Sequence, residues 1–185
     1  WWNKVLEIEE PELDSIIYMR YACMHCEDPP CIPACPEKAI FRREDGIVLI
    51  DQEKCQGHGK CRDACPYGVI DMNPEQDYFP GSRPSYQEGR EGFRIHPAGK
   101  ASKCTLCVHR IEQGREPACV EGCPSRAMTF GDLNDPDSPI RAELWQAEPL
   151  LESEKTGSRV FYIIPENVKQ PIEKRIAADP QMDRP

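Results

Sequence analysis

The chain has 185 residues, 39% of them apolar and 30% charged, with 19 prolines and 11 cysteines, a length that makes one domain or two small ones. Its 23 basic and 32 acidic side chains leave a formal charge of −9, which argues against a nucleic-acid partner. The longest apolar run, Val160 to Ile164, falls far short of the roughly 20 residues that cross a bilayer, so no direct membrane span is expected and any membrane link comes through a partner.

Trp1 stands first, and no basic stretch followed by an apolar segment is visible, so the sequence reads as a fragment or processed chain with an N-terminal part missing. So little core material usually needs covalent or metal cross-links. The cysteines that could supply them fall into three groups: Cys23, Cys26, Cys31 and Cys35; Cys55, Cys61 and Cys65; and Cys104, Cys107, Cys119 and Cys123. Each group closes with Cys-Pro and is followed by a short apolar stretch. That internal repeat predicts a unit of metal-binding loop, proline break, short helical turn and strand.

Between the first two groups, Ala39 to Arg42 and Ile47 to Ile50 flank Glu44-Asp45-Gly46, which predicts an antiparallel ribbon with glycine at its turn. From Asn73 to Lys100 the apolar periodicity disappears, as in a surface insertion separating two lobes. Past Ile164 the chain is polar, with prolines at 165, 171, 180 and 185, and reads as an extended C-terminal arm or a disordered end. The expected segments are therefore a two-cluster lobe over 15–72, an insertion over 73–100, a partial second lobe over 101–164 and an arm over 165–185.

Three chemistries compete for such cysteines. A disulfide framework is disfavoured by the odd count and gives the Cys-Pro repeat no role. Structural zinc, the basis of a cysteine-rich interaction module, could draw on His25, His58 and His109, but the Cys-x2-Cys pairs run on into a third cysteine and then Cys-x3-Cys-Pro. An iron–sulfur cubane fits better, because a tight loop wraps three of its corners and the distal Cys-Pro cysteine serves the neighbouring cluster. By that exchange Cys23, Cys26 and Cys31 hold one [4Fe–4S] cluster completed by Cys65, while Cys55 and Cys61 hold a second completed by Cys35.

In the second group His58 stands where the repeat expects a cysteine. Either its imidazole is a ligand, or a [3Fe–4S] cluster sits on Cys55, Cys61 and Cys35, or His58 is a surface residue of the Gly57-His58-Gly59 turn. In the third group Cys104, Cys107 and Cys119 can make one cluster face, which leaves Cys123 for a further cluster if a four-cysteine loop precedes Trp1. Alternatively all four bind one cluster or a zinc ion. Two or three clusters are thus expected on this chain.

Cys23-Met-His-Cys26-Glu-Asp-Pro-Pro-Cys31, the Arg43-Glu-Asp-Gly46 hairpin, Asp63-Ala-Cys65-Pro-Tyr-Gly68, Lys103-Cys-Thr-Leu-Cys107-Val-His-Arg110 and Glu116-Pro-Ala-Cys119-Val-Glu-Gly-Cys123-Pro124 resemble the iron–sulfur electron-transfer (beta) subunits of molybdenum or tungsten bis-pterin oxidoreductases. These form the dimethyl-sulfoxide-reductase superfamily, which includes formate dehydrogenase, polysulfide and nitrate reductases and a pterin transhydroxylase. The resemblance runs from about Trp2 to Ile164, with Gly157 to Tyr162 matching a closing strand. It implies an α+β, double bacterial-ferredoxin-like fold of small ribbons and short helices around the clusters. It also places His58 where nitrate reductase subunits carry tryptophan beside a three-iron cluster.

The function so implied is non-catalytic. Single electrons pass between a molybdopterin catalytic subunit and a membrane quinone-interacting subunit, a cytochrome or a soluble carrier, in a complex held at the membrane by its partners or in the cytoplasm. The small subunit of a transhydroxylase and a free ferredoxin are the alternatives. Lys38, Lys54, Lys60, Arg62 and Lys103 are candidates for stabilising reduced clusters, and Trp1, Trp2 and Tyr18 are expected in the core.

Overall fold

The computed structural model describes residues 2–9, 16–74 and 97–178. Chain order begins with an antiparallel pair, β1 (Asn3–Glu9) and β2 (Ile16–Ala22), in which Leu6 lies opposite Met19 and Ile8 opposite Ile17. Alternation sets its faces: Leu6, Ile8, Met19 and Tyr21 are buried, while Val5, Ile16 and Tyr18 point outward. The expected core position of Tyr18 is therefore corrected. It sits opposite Glu7 and is 64% exposed. Trp2 is half-buried, and Trp1 lies outside the described residues.

The second ribbon is the predicted one. β3 (Ile40–Arg42) pairs with β4 (Val48–Ile50), Ile40 opposite Ile50, and Gly46 takes φ +84° at the turn, a conformation that side chains with a Cβ seldom adopt. Although only three residues long, β4 is buried on both faces: Val48 and Ile50 enter a core with Ala39, Ile40 and Ile70, whereas Leu49, with Ile47 just before the strand, packs on Val108. A third pair, β5 (Asp71–Met72) with β6 (Ala101–Ser102), brings together the two ends of the 73–100 segment. Asn73 N–H donates to the Lys100 carbonyl at 2.8 Å, closing the neck. Most of the expected insertion, 75–96, lies outside the described residues.

The repeat differs from expectation in its order. The helical turn falls inside each cysteine group: α1 (Cys31–Ala34), α2 (Lys60–Asp63), then, after α3 (Val108–Ile111), α4 (Ala118–Glu121). Each ends just before its Cys-Pro, because proline has no N–H to extend the turn and disfavours helical geometry in the residue before it. No strand follows the third Cys-Pro among the described residues.

Two corrections concern the C-terminal third. The closing strand expected over 157–162 contributes one bridge, Tyr162 to Glu148. The backbone before it bonds instead to the first cysteine loop: Glu27 N–H to Gly157 O at 2.8 Å, Asp28 N–H to Thr156 O at 2.9 Å, and Arg159 N–H to Met24 O at 3.0 Å. The expected extended arm over 165–185 is helical over Glu166–Ala178, α5. Val168, Ile172 and Ile176 recur every four residues and are wholly buried against Leu6, Ile8 and Leu150. Glu173 accepts from Leu151 N–H at 2.8 Å, and Arg175 donates to Glu7 O at 3.0 Å. That packing outweighs the cost of Pro171 within the helix. Among the described residues no helix is long and apolar enough to cross a membrane.

Truncating a buried aliphatic residue leaves a cavity as well as losing transfer energy. Ile172→Ala is expected to destabilise the protein by about 2–5 kcal/mol, whereas Val5→Ala on the exposed face is expected to stay within about 0.5 kcal/mol. Urea unfolding followed by tryptophan fluorescence checks both.

Candidate metal centre

β2 delivers the first group. Cys23 follows it directly, His25 takes φ +45°, and the loop is held from outside by the 156–159 backbone bonds already described. Pro29 and Pro30 then lead into α1, whose first residue is Cys31. In the second group Gly57 and Gly59 both have φ +74°, and a Cβ on Gly57 would lie 2.1 Å from Gly99 O. The loop before α2 thus has no room there for any side chain. Past α2, Cys65 precedes Pro66 and Tyr67, and Tyr67 is 1% exposed. Its hydroxyl meets Thr156 Oγ1 at 2.8 Å, and its carbonyl accepts from the Tyr21 hydroxyl at 2.7 Å.

These elements enclose an apolar cavity lined by Cys23, Cys26, Cys31 and Cys65, with Met24, Val48, Tyr67, Val69, Ile70, Lys103 and three prolines. Three of its thiols come from the first cysteine group and one from the second. Burial pushes the Cys26 thiol up to about 11, opposed by its hydrogen bond to Thr156, and the Cys31 thiol up to about 12, with Cys23 and Cys65 adding to it. Cys65 is raised for the same reason. Of the five cations named from the sequence, Lys103 alone is buried; Lys38, Lys54 and Lys60 are exposed and Arg62 half-exposed.

A second set forms around Cys61, whose thiol burial raises to about 11, with Cys55 and Cys35 close enough to add to the effect. Cys55 and Cys61 are buried, and Cys35 Sγ accepts from Ala39 N–H at 3.4 Å. His58 does not join them in this structure. Its Nε2 meets Glu37 Oε1 at 3.1 Å on the surface.

The third group is more open. Cys104 is half-buried, with Arg20 Nη2 3.7 Å and Leu106 N–H 3.4 Å from its sulfur. Cys107, Cys119 and Cys123 are also half-buried, along α3, α4 and the turn beyond. A hydrogen bond from Ser125, first, lowers the Cys123 thiol. The eleven cysteines are all free thiols. Among the described residues no three His, Cys, Asp or Glu side chains close to the spacing of a single metal ion; around the cavity the thiols bound a space.

Sequence reasoning passed over the β1–β2 pair that carries Arg20 and leads into Cys23. Its signal was present: Leu6-Glu7-Ile8-Glu9 alternates in polarity, and Ile16 to Tyr21 is rich in β-formers. Thr156, which ties Tyr67 to the closing segment, had no local signal.

The donor set suits an iron–sulfur cluster: thiols as first ligands, an apolar wall, backbone N–H groups on sulfur and a buried cation to offset negative charge. That chemistry defines an iron–sulfur protein. The chain matches the 4Fe-4S dicluster domain over residues 15–80 and 92–133, and it belongs to that family, among the iron–sulfur subunits of the dimethyl-sulfoxide-reductase superfamily enzymes. It is 41% identical over 156 residues to a tetrathionate reductase subunit of Salmonella typhimurium, covering 82% of this chain and 53% of that protein. The iron–sulfur subunit of the arsenate respiratory reductase of Shewanella sp. is 34% identical over 176 residues, covering 79% of this chain and 74% of that one. The iron–sulfur subunit of a proposed dimethyl sulfoxide reductase of Halobacterium salinarum is 37% identical over 180 residues, covering 88% and 67%. The matched region therefore spans between about half and three quarters of these relatives.

Iron takes thiolates, so thiols held near 11 and 12 each release a proton when they become ligands. Raised pKa values mean that low pH opposes assembly. Anaerobic reconstitution with iron and sulfide is expected to give a higher yield of visible absorbance as the pH rises from about 7 to about 9. A yield that increased toward acid would contradict the protonation states described here.

Proposed function

We propose that the chain is the electron-transfer subunit of an oxidoreductase complex, passing single electrons between a molybdenum or tungsten bis-pterin catalytic subunit and a further carrier. The observation that carries this is the apolar cavity whose four thiols come from two cysteine groups, the pairing that the exchange of Cys-Pro cysteines requires. When bound, each cluster supplies a site that gains or loses one electron. The protein's own part is to hold the ligands still, exclude water and set the local charge.

In this proposal Cys23, Cys26, Cys31 and Cys65 hold one [4Fe–4S] cluster, and Cys35, Cys55 and Cys61 hold a second centre. Cys104, Cys107 and Cys119 contribute to a third, with Cys123 serving a further one. The fold is a double ferredoxin, its two-cluster lobe over 15–72 and its second lobe over 101–164, with 73–100 inserted between them. No residue of this chain acts as a general acid, base or nucleophile. A membrane quinone-interacting subunit or a cytochrome is the proposed outer partner, and it is through such partners that the complex meets the membrane. The names of the relatives support a reductase acting on a small oxidised compound.

The engagement of His58 by Glu37 supports a three-thiolate centre, hence a three-iron cluster, at Cys35, Cys55 and Cys61. Its electron paramagnetic resonance signal is expected in the oxidised protein and should persist in His58→Ala. Absence of the signal in wild type, or its loss on substitution, would refute that assignment.

Exchange of ligands between groups has its own test. Cys65→Ser should remove the same cluster as Cys23→Ser, about four irons by assay, and spare the one removed by Cys61→Ser. A Cys65 variant that instead behaved like the Cys61 variant would mean that each group keeps its own cysteines. Protein prepared without oxygen that proved colourless and free of acid-labile sulfide would sink the proposal as a whole.

A further inference from the structure

His25 lies between two thiols of the apolar cavity, yet its ring is directed to β4. It is 2% exposed, and its Nδ1 accepts a hydrogen bond from Val48 N–H at 3.1 Å. A ring nitrogen that accepts from an amide carries no proton, so the neutral ring bears its proton on Nε2. Nε2 is buried with no partner among the described residues. An N–H shut away from water with nothing to bond is costly enough that native proteins rarely contain one, so the missing acceptor is the informative feature.

The surroundings identify the acceptor's chemistry. The Val48 backbone is gripped twice: His25 takes its N–H, while Lys103 Nζ donates to its carbonyl and also to Cys104 O at 3.1 Å. Arg20, itself bonded to Asn3 Oδ1 at 2.7 Å, reaches to 3.7 Å from the sulfur of the same Cys104. Among the described residues neither Lys103 nor Arg20 has a carboxylate partner. Two cations and an N–H donor thus gather where the third cysteine group enters the fold, and all three lack an anion. The cavity of Cys23, Cys26, Cys31 and Cys65 is lined by Met24 and Cys26, the neighbours of His25 in the chain, and not by the imidazole.

The geometry points to a hydrogen bond from His25 Nε2–H to a sulfur, sulfide or thiolate, of the cluster held through Cys104. His25 is then a positioning residue standing between two clusters, its backbone within the loop of one and its side chain bonded to the other. This rests on the proposed function, since it needs clusters to be present. A donor on a cluster sulfur stabilises the more negative, reduced state, so the bond raises the potential of that cluster and no other.

The native iron-loaded protein, purified without oxygen from cells fed histidine labelled with 15N in the imidazole ring only and reduced in steps, supplies the test. Pulsed electron paramagnetic resonance is expected to show one weak 15N coupling to a single reduced cluster, present in wild type, His58→Asn, His96→Asn and His109→Asn and absent in His25→Phe. Redox titration of His25→Phe should show one midpoint lowered by about 59 mV, a tenfold change in a one-electron equilibrium, with the remaining midpoints and the iron and sulfide contents unchanged. His25→Gln, which keeps a donor near Nε2, should recover most of the shift.

Full iron and sulfide content with no histidine coupling in wild type overturns this inference alone. So does a His25→Phe protein whose midpoints are all native. If the substitutions at His25 prevent folding, the wild-type coupling decides, provided that it survives in the His58, His96 and His109 variants, which cover the other three histidines of the chain. Wild-type protein lacking iron and sulfide overturns the cluster reading itself, and this inference with it.

Discussion

Keeping several thiol sulfurs in one apolar space is the constraint on which the rest of the molecule depends. A thiolate leaving water loses its solvation, and each further thiolate alongside it repels the others. The raised thiols of Cys26, Cys31 and Cys65 express that cost. Iron carries the positive charge that makes such a group tolerable, and the protein adds smaller terms around it: Lys103 in the wall, Thr156 on Cys26, and N–H groups on Cys35 and Cys104. Stability and redox function draw on the same interactions, because whatever offsets the charge of the ligands also sets the ease of adding an electron.

β4 shows how so short an element can serve both. It has three residues, yet its side chains enter separate cores on its two faces, and the backbone of Val48 is held by His25 at its N–H and by Lys103 at its carbonyl. The first cysteine loop and the start of the third group are thereby fixed to a single residue. An electron-transfer chain needs fixed distances more than it needs motion, and a strand buried on both faces, with its backbone groups satisfied by side chains, has little freedom to move.

How far the sequence disclosed this depends on the type of signal. For the thiols the informative signal is spacing, and Cys65 lines one cavity with Cys23, Cys26 and Cys31. The β3–β4 ribbon was legible because Gly46 marks a turn between two β-prone runs. The C-terminal helix was not: Pro171 argues locally against it, and only Leu6, Ile8 and Leu150, remote in sequence, provide the surface on which Val168, Ile172 and Ile176 make sense. Nothing local distinguishes Lys103 from the other four candidate cations, because burial of a cation is a property of the assembled site rather than of its neighbours in the chain. His58, conspicuous as the departure from the cysteine repeat, lies at the surface, whereas His25, inside an unremarkable Cys-x2-Cys, is the deeply buried imidazole.

The closing segment joins these observations. Residues 156–159 spend their backbone groups on the 24–28 loop instead of on a strand ladder, and Thr156 also reaches Tyr67, whose carbonyl is in turn held by Tyr21. The first cysteine loop, the segment after Cys65, β2 and the C-terminal third are therefore tied by one set of hydrogen bonds around the cavity wall. The backbone groups all go to the first cysteine loop, and the Thr156 side chain adds the link to Tyr67. Irregular structure at this point lets one short stretch secure several elements that must not shift relative to the thiols, which is why the likeness to a closing strand holds at the level of sequence and gives way, in three dimensions, to a strap across the cavity wall.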